Sequence, residues 1–209
     1  DGQTDFFIFA VMPHVMLEDM QQPYISLHDG NRIPQIGVGV LRIDNGDVTR
    51  VVEDALEVGY RHIDTAAGYG NEEGVGLGLE HAGFTKGANR EHLWITTKLR
   101  DSQQGYDSAL RACESQLKLL KVDYLDMYMI HWPTPFDWRS EETWKAFTQL
   151  RDAGVIKTLG VCNFMPSDLD RLYAATGEYP VVNQIELHPT FQQQEVVDYC
   201  AQHHIAVQA

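Results

Sequence analysis

The sequence predicts an α/β protein whose parallel strands close into a (β/α)8 barrel of the TIM type. From residue 24 onward, strand-like apolar runs alternate with segments of helical periodicity. Short links between them favour right-handed βαβ units around a parallel sheet. Polar residues also follow five different strands, and residues collected from several strand ends are typical of a barrel active site. These two observations decide the predicted fold class.

The chain enters the predicted barrel through a hairpin. Two short segments, 25–27 and 33–36, flank Asp29-Gly30-Asn31, which is a strong turn signal. An apolar stretch at 37–41 follows as the first barrel strand. The first helix is predicted where apolar residues recur at helical spacing before Gly59, namely at Val48, Val51, Val52, Ala55 and Leu56.

The same strand and helix cycle then recurs to the end of the sequence. Further strands are predicted at 61–64, 93–98, 124–131, 156–162, 182–186 and 205–208. Helices are predicted at 72–81, 106–120, 141–153, 166–175 and 193–203. The run 126–130 is almost entirely apolar, as expected of a strand that is buried on both faces.

Periodicity alone leaves an open doubly wound sheet as an alternative to the barrel. Such sheets often carry a Gly-x-Gly-x-x-Gly turn between strand and helix, and the sequence has none. The glycines of 74–78 fall inside a predicted helix, so we assign them a structural role. The polar residues that follow the strands favour the barrel; they are Asp64, Lys98, His131, Asn163 and Glu186.

The strand count predicts a barrel that is incomplete at its C-terminal end. Seven strand candidates follow the hairpin, whereas a complete barrel has eight strands and about 250 residues. We therefore expect 24–209 to be a barrel without its C-terminal part. Residues 1–23 are expected to be an N-terminal extension or a cloning remnant, since they lack the basic region and cleavage site of a signal peptide.

Composition excludes several classes of partner. The formal net charge is −14, from 16 basic and 30 acidic residues, which disfavours nucleic acid and anionic membrane surfaces. No apolar run reaches the roughly 20 residues of a membrane span. The three cysteines are widely spaced and odd in number, which argues against a disulfide framework or a zinc site and favours a cytoplasmic location.

Four side chains suggest the chemistry. Asp64 ends a strand, Tyr69 lies on the glycine-rich loop that follows, Lys98 ends the next strand, and His131 ends another beside Trp132. A phenol has an ordinary pKa of about 10, and a nearby ammonium would favour its ionised form and ease proton donation. The imidazole could orient a substrate oxygen, and the hydride would have to come from a nicotinamide or a flavin.

These residues resemble the motifs of the aldo-keto reductase family. The resemblance is carried by 59–76, by Thr-Thr-Lys-Leu around Lys98, and by Ile-His-Trp-Pro around His131. Residues 69–73 and 183–189 are similar to bacterial 2,5-diketo-gluconate reductases and prostaglandin-F-synthase-like members. The resemblance implies that Tyr69 is the general acid, that Asp64 and Lys98 tune it, and that His131 orients the carbonyl.

The resemblance also implies a cofactor and a substrate mouth. Asn163 and Gln184 would hydrogen-bond the nicotinamide carboxamide. Cys162 stands where the family commonly has a serine that contacts the cofactor, and Asp64 would also lie near the cofactor. NADPH is the expected cofactor, with NADH as the alternative. A small carbonyl compound would bind a mouth that is wider and more cationic than usual, and the full-length protein is expected to be a monomer. The residues that the resemblance implies would line this mouth are Leu41, Gly68, Arg100 and Trp132.

Two other functions compete with carbonyl reduction. The first is a regulatory or structural barrel protein that binds the cofactor without turnover. The second is a lyase in which Lys98 forms a Schiff base. Carbonyl-dependent oxidation of NADPH distinguishes the first from a reductase, and borohydride trapping at Lys98 would support the second.

Overall fold

The structure is a computed structural model that describes residues 23–134 and 136–209. The predicted extension at 1–23 lies outside the described residues except for Pro23. The strands are β1 Tyr24–Ser26, β2 Arg32–Pro34, β3 Val38–Gly39, β4 His62–Asp64, β5 Trp94–Leu99, β6 Leu125–Ile130, β7 Ile156–Cys162, β8 Val182–Gln184 and β9 Ala206–Gln208. The helices are α1 Asn45–Glu57, α2 Glu72–His81, α3 Gly87–Glu91, α4 Tyr106–Leu120, α5 Ser140–Asp152, α6 Pro166–Thr176 and α7 Gln194–Gln202.

Seven strands form one curled parallel sheet in chain order, from β3 to β9. The hairpin of β1 and β2 forms a separate antiparallel pair. Each strand of the large sheet lies beside the next one in the sequence, as βαβ units with a single hand require. The prediction of a parallel α/β barrel sheet with seven strands is therefore confirmed.

The core lies between the sheet and the helices that cover it. Every residue of β5 and of β6 is buried, which is expected of central parallel strands covered on both faces. Large side chains of β6 and α5 pack together there, with the rings of Tyr128 and Phe147 centred 4.4 Å apart. Among the described residues, no helix has the length and apolar character to cross a bilayer.

The glycines of α2 have the structural role that the sequence suggested. A Cβ atom at Gly74 would lie 2.4 Å from the carbonyl oxygen of Asn45, and one at Gly76 would lie 2.0 Å from that of Leu119. Both distances are far below van der Waals contact, so α2 approaches α1 and α4 more closely than any side chain would allow. These glycines therefore set the position of α2 against the neighbouring helices.

The short helix α3 was not predicted, because five residues offer too little periodicity to detect. Its residue Arg90 is buried and bonds Asp126 near the start of β6, with 2.7 Å between Nη2 and Oδ2. The amine of Lys157 lies 2.9 Å from the other oxygen of Asp126, and the backbone N–H of Ile95 donates to Asp126 as well. This charge cluster therefore joins α3, β5, β6 and β7 at the amino ends of the strands.

Candidate active site

Lys98 is the centre of the polar cluster at the carboxyl ends of the strands. Its side chain is fully buried and its amine forms an ion pair with Asp64, the last residue of β4. The amine also donates to the carbonyl oxygen of Thr65 at 3.0 Å and to the hydroxyl of Tyr69 at 3.2 Å. Burial is the largest single influence on the pKa of Lys98 and lowers it, but Asp64 and the other neighbouring groups together raise it by more, so the net pKa is raised. Lys98 is therefore an ammonium at neutral pH.

Two glutamines bond the second oxygen of Asp64 across the barrel interior. The amide nitrogen of Gln184 lies 2.9 Å from this oxygen, and that of Gln208 lies 3.3 Å from it. A carboxylate can only accept hydrogen bonds, so both glutamines turn their NH2 groups toward Asp64. Their amide oxygens are left as acceptors, and that of Gln208 is buried without a protein partner. Sequence reasoning missed Gln208, because no motif before it marks the residue.

Tyr69 ends a 3-10 turn, Ala67–Tyr69, which two residues separate from the end of β4. Gly70 ends this turn with φ of 70°, a left-handed conformation that suits glycine. Burial raises the pKa of Tyr69, and the nearby Lys98 lowers it to a smaller extent. The lowering expected from Lys98 is thus present, but burial outweighs it and the net pKa is raised.

His131 follows β6 directly and faces Tyr69, with 5.8 Å between the two ring centres. Burial, aided by the positive charge of Lys98, lowers the pKa of His131 to about 4. The imidazole is therefore neutral at pH 7. A neutral imidazole carries one N–H that can donate to an oxygen atom in the cavity.

The predicted cofactor residues lie on the next two strand ends. Asn163 adopts a left-handed conformation, with φ of 62°, and donates to the carbonyl oxygen of His131 at 3.2 Å. The thiol of Cys162 is buried and lies 3.8 Å from the amide oxygen of Gln184. Burial raises the pKa of Cys162, so the thiol stays protonated and unreactive.

The four predicted mouth residues fall into two groups. Leu41 and Trp132 are half exposed and line a cavity of about 670 Å3 that also contacts Asp64, Tyr69 and His131. Gly68 and Arg100 instead lie on and beside the Tyr69 turn. A Cβ atom at Gly68 would lie 3.5 Å from the His131 ring, and Arg100 donates to the carbonyl oxygen of Ala67 at 3.0 Å.

Glu186 lines the same cavity as Asp64, Tyr69 and His131, although it lies outside the strand that was predicted to contain it. Strand β8 ends at Gln184, two residues before the predicted end, and Glu186 is an exposed residue beyond it. Its carboxylate lies 3.1 Å from the ring of His188. Within the described part of the chain, no three His, Cys, Asp or Glu side chains group as metal ligands would.

The site's donors and acceptors fit a carboxamide. The amide oxygens of Gln184 and Gln208 can accept from an NH2 group, and the buried oxygen of Gln208 lacks any protein donor.

A model of the aldo/keto reductase family matches residues 35–209. The chain belongs to the aldo/keto reductase family.

Individual relatives agree with this aldo/keto reductase assignment. The chain is 48% identical over 187 residues to an aldo-keto reductase of Mycolicibacterium smegmatis, covering 90% of this chain and 66% of the relative. It is 46% identical over 185 residues to the methylglyoxal reductase DkgA of Escherichia coli K12, covering 88% of this chain and 65% of the relative. The chain therefore spans about two thirds of the length of these relatives.

Solved structures give the same result for the barrel. An aldo-keto reductase of Bombyx mori, in complex with NADP, superposes with a TM-score of 0.83 at 39% identity. The match covers 90% of this chain and 66% of that structure. The predicted family and fold class are both confirmed.

Proposed function

We propose that the protein reduces aldehydes or ketones to alcohols with NADPH, in a reversible hydride transfer. The observation that carries this proposal is the hydroxyl of Tyr69, which lies 3.2 Å from the Lys98 amine beside a cavity that neutral His131 also lines. A proton donor, a fixed cation and a neutral hydrogen-bond donor are the groups that a carbonyl oxygen needs as it gains electrons.

Tyr69 donates the proton to the substrate oxygen in this proposal. The Lys98 ammonium stabilises the phenolate that remains, and Asp64 holds the ammonium in place through their ion pair. The neutral imidazole of His131 donates to the same substrate oxygen and fixes its direction. The nicotinamide, when bound, supplies the hydride.

Asn163, Gln184 and Gln208 would hold the carboxamide of the nicotinamide. Cys162 would act through its contact with Gln184, and Asp64 through the orientation that it imposes on both glutamines. NADPH is proposed over NADH because a similar reductase of Bombyx mori was solved in complex with NADP.

The proposed substrate is a small carbonyl compound bound between Leu41 and Trp132. The absence of a side chain at Gly68 leaves space beside His131, and the exposed Arg100 adds a positive charge near the Tyr69 turn. We further propose a monomeric, cytoplasmic protein that acts without nucleic acid or membrane partners.

The lyase alternative is disfavoured by the state of Lys98. A Schiff base forms from a neutral amine, whereas the Lys98 amine is paired with Asp64 and its pKa is raised. The alternative of a barrel that binds the cofactor without turnover requires a direct test.

The test is carbonyl-dependent loss of NADPH by full-length protein, measured by absorbance with a panel of small aldehydes and ketones. NADH runs in parallel, and a Tyr69→Phe variant is the matched control. Turnover by the parent that the variant lacks supports the proposal. NADPH binding without turnover on any carbonyl in the panel would favour the regulatory alternative.

A further inference from the structure

A buried carboxylate other than Asp64 lies beside the catalytic cluster. Glu72 is the first residue of α2, three positions after Tyr69, and only 4% of it is exposed. The proposed reaction does not use this side chain. Burial raises the pKa of Glu72, and hydrogen bonds from its neighbours lower it to a smaller extent. A buried acid that the chemistry leaves unused requires an explanation.

The neighbours of Glu72 connect it to the strand that carries Lys98. One carboxylate oxygen accepts from the hydroxyl of Thr97 at 2.6 Å and from the amide nitrogen of Gln116 at 2.8 Å. The same nitrogen of Gln116 lies 3.3 Å from the carbonyl oxygen of Lys98. The hydroxyl of Tyr128 on β6 donates to the amide oxygen of Gln116 at 2.5 Å. Four elements, α2, α4, β5 and β6, therefore meet in one buried network.

Thr97 and Lys98 project to opposite faces of β5, because successive side chains of a strand alternate. The Glu72 network therefore holds the back of the strand whose front presents the lysine amine. The adjoining residue Asn71 fixes the other side of the same segment, since its amide donates to the carbonyl oxygens of Val40 and Ile43 at 2.9 Å each. The segment with Tyr69 is thus bonded on both sides.

We propose that Glu72 is a positioning residue that sets the separation between the Tyr69 hydroxyl and the Lys98 amine. Its bond to Thr97 ties the start of α2, and with it the Tyr69 turn, to the reverse side of β5. This inference rests on the proposed reduction, in which Tyr69 and Lys98 act together. A purely structural contact at this place could be made by apolar side chains, which avoid the cost of burying a carboxylate.

The experiment compares Thr97→Val with Thr97→Ser in full-length protein. Valine keeps the shape of threonine but removes the hydroxyl that donates to Glu72, whereas serine keeps the hydroxyl. We expect Thr97→Val to lower kcat about tenfold, since small misplacements of reacting groups have large effects on rate. The KM for NADPH should stay within about twofold, because the proposed carboxamide contacts lie on other strands. Thr97→Ser should keep kcat within about threefold of the parent.

The pH profile of kcat/KM provides a readout that a stability defect would leave unchanged. The groups around Tyr69 are Lys98, Asp64, Cys162 and His131. Lys98 lowers the pKa of Tyr69, so moving the amine away should shift the alkaline limb of the profile to higher pH in Thr97→Val. Crystal structures of both variants would report the distance between Tyr69 Oη and Lys98 Nζ directly, and this distance should lengthen only in Thr97→Val.

The outcomes separate this inference from the proposed function. If the parent is active, and Thr97→Val keeps the parent's kcat and the parent's alkaline limb, the positioning role is overturned. A lower melting temperature as the sole change would overturn it too. A parent without reductase activity would overturn the proposed function, and the crystallographic distance would then decide the positioning role. If Thr97→Val fails to fold, Gln116→Met takes its place, because it breaks the same network from α4. Glu72→Gln is then the matched control, because its amide oxygen can still accept from Thr97.

Discussion

The barrel has a buried ion pair at each end, and the two differ in what surrounds them. At the amino ends of the strands, Asp126 is held by Arg90 and Lys157, and the guanidinium of Arg90 also donates to the carbonyl oxygens of Leu93 and Tyr124 at 2.7 and 2.8 Å. At the carboxyl ends, Asp64 pairs with Lys98, and the pair adjoins the phenol of Tyr69 and a cavity.

The comparison shows that a buried ion pair does not itself mark an active site. The two pairs are of similar burial, with both lysine and arginine cations almost fully enclosed. The guanidinium of Arg90, at the amino end, is also covered by the ring of Tyr124, with 3.9 Å between the guanidinium carbon and the ring centre. Lys98, the cation at the carboxyl end, instead bonds the hydroxyl of Tyr69, which adjoins the cavity. We therefore expect substitutions at the two ends to affect different measured quantities.

The largest expected effect is on turnover at the carboxyl end. Tyr69→Phe removes the proton donor, so kcat should fall by about 100-fold to 10,000-fold. The Kd for NADPH and the melting temperature should change little, because the phenol hydroxyl contacts neither the glutamines nor the core. Steady-state kinetics and fluorescence titration with NADPH measure these quantities. Near-normal turnover would remove Tyr69 from its proposed role.

The next largest effect is on stability at the amino end. Asp126→Ala leaves the buried Arg90 without its acid, and breaking such a pair typically costs about 3–5 kcal/mol of unfolding free energy. The kcat of the folded protein should stay within about twofold of the parent. Lys157→Met is the matched control, because this lysine is 41% exposed and should contribute about 1 kcal/mol or less. Denaturant unfolding measures both variants, and a stable but inactive Asp126→Ala would contradict the contrast.

A smaller expected effect is on the pH dependence of kcat/KM. His131 acts as a neutral donor in the proposed reaction, and its pKa is lowered to about 4. Activity that depends on neutral His131 is therefore present above this pKa and is lost as the pH falls through it. The acid limb of kcat/KM should lie near pH 4, well below the ordinary histidine pKa of about 6.5. An acid limb near 6.5 that disappears in His131→Gln would show that the imidazole is not shielded in this way.

The smallest expected effect is at Gly68. Its added Cβ would lie 3.5 Å from the His131 ring, which is an ordinary contact distance. Gly68→Ala should therefore change kcat for a small aldehyde by less than about threefold, while raising the KM for bulky ketones. Parallel kinetics with one small and one bulky substrate test this. A large loss with the small aldehyde would mean that the methyl group displaces His131.

The sequence predicted those parts of the molecule that depend on local patterns. Long helices such as α4 and buried strands such as β6 carry clear periodicity, and the motifs around Tyr69, Lys98 and His131 mark the ends of elements. The five-residue helix α3 has no such signal.

Contacts across the barrel could not be predicted in the same way. Gln208 bonds Asp64 over a separation of 144 residues, and the contact depends on how far the sheet curls. The pKa of Tyr69 was also beyond reach, because burial and the charge of Lys98 oppose each other and only the structure shows that burial is larger.

The glycines of α2 have a consequence for how this protein tolerates mutation. Gly76 has no room for a methyl group against the backbone of Leu119, so any substitution must push α2 outward. Glu72 begins that same helix and Tyr69 precedes it by three residues, so both would move with it. A random mutagenesis screen for lost activity should therefore identify substitutions at Gly76 as well as at Tyr69 and Lys98. This glycine nevertheless lies in the outer layer of helices and contacts no reacting group.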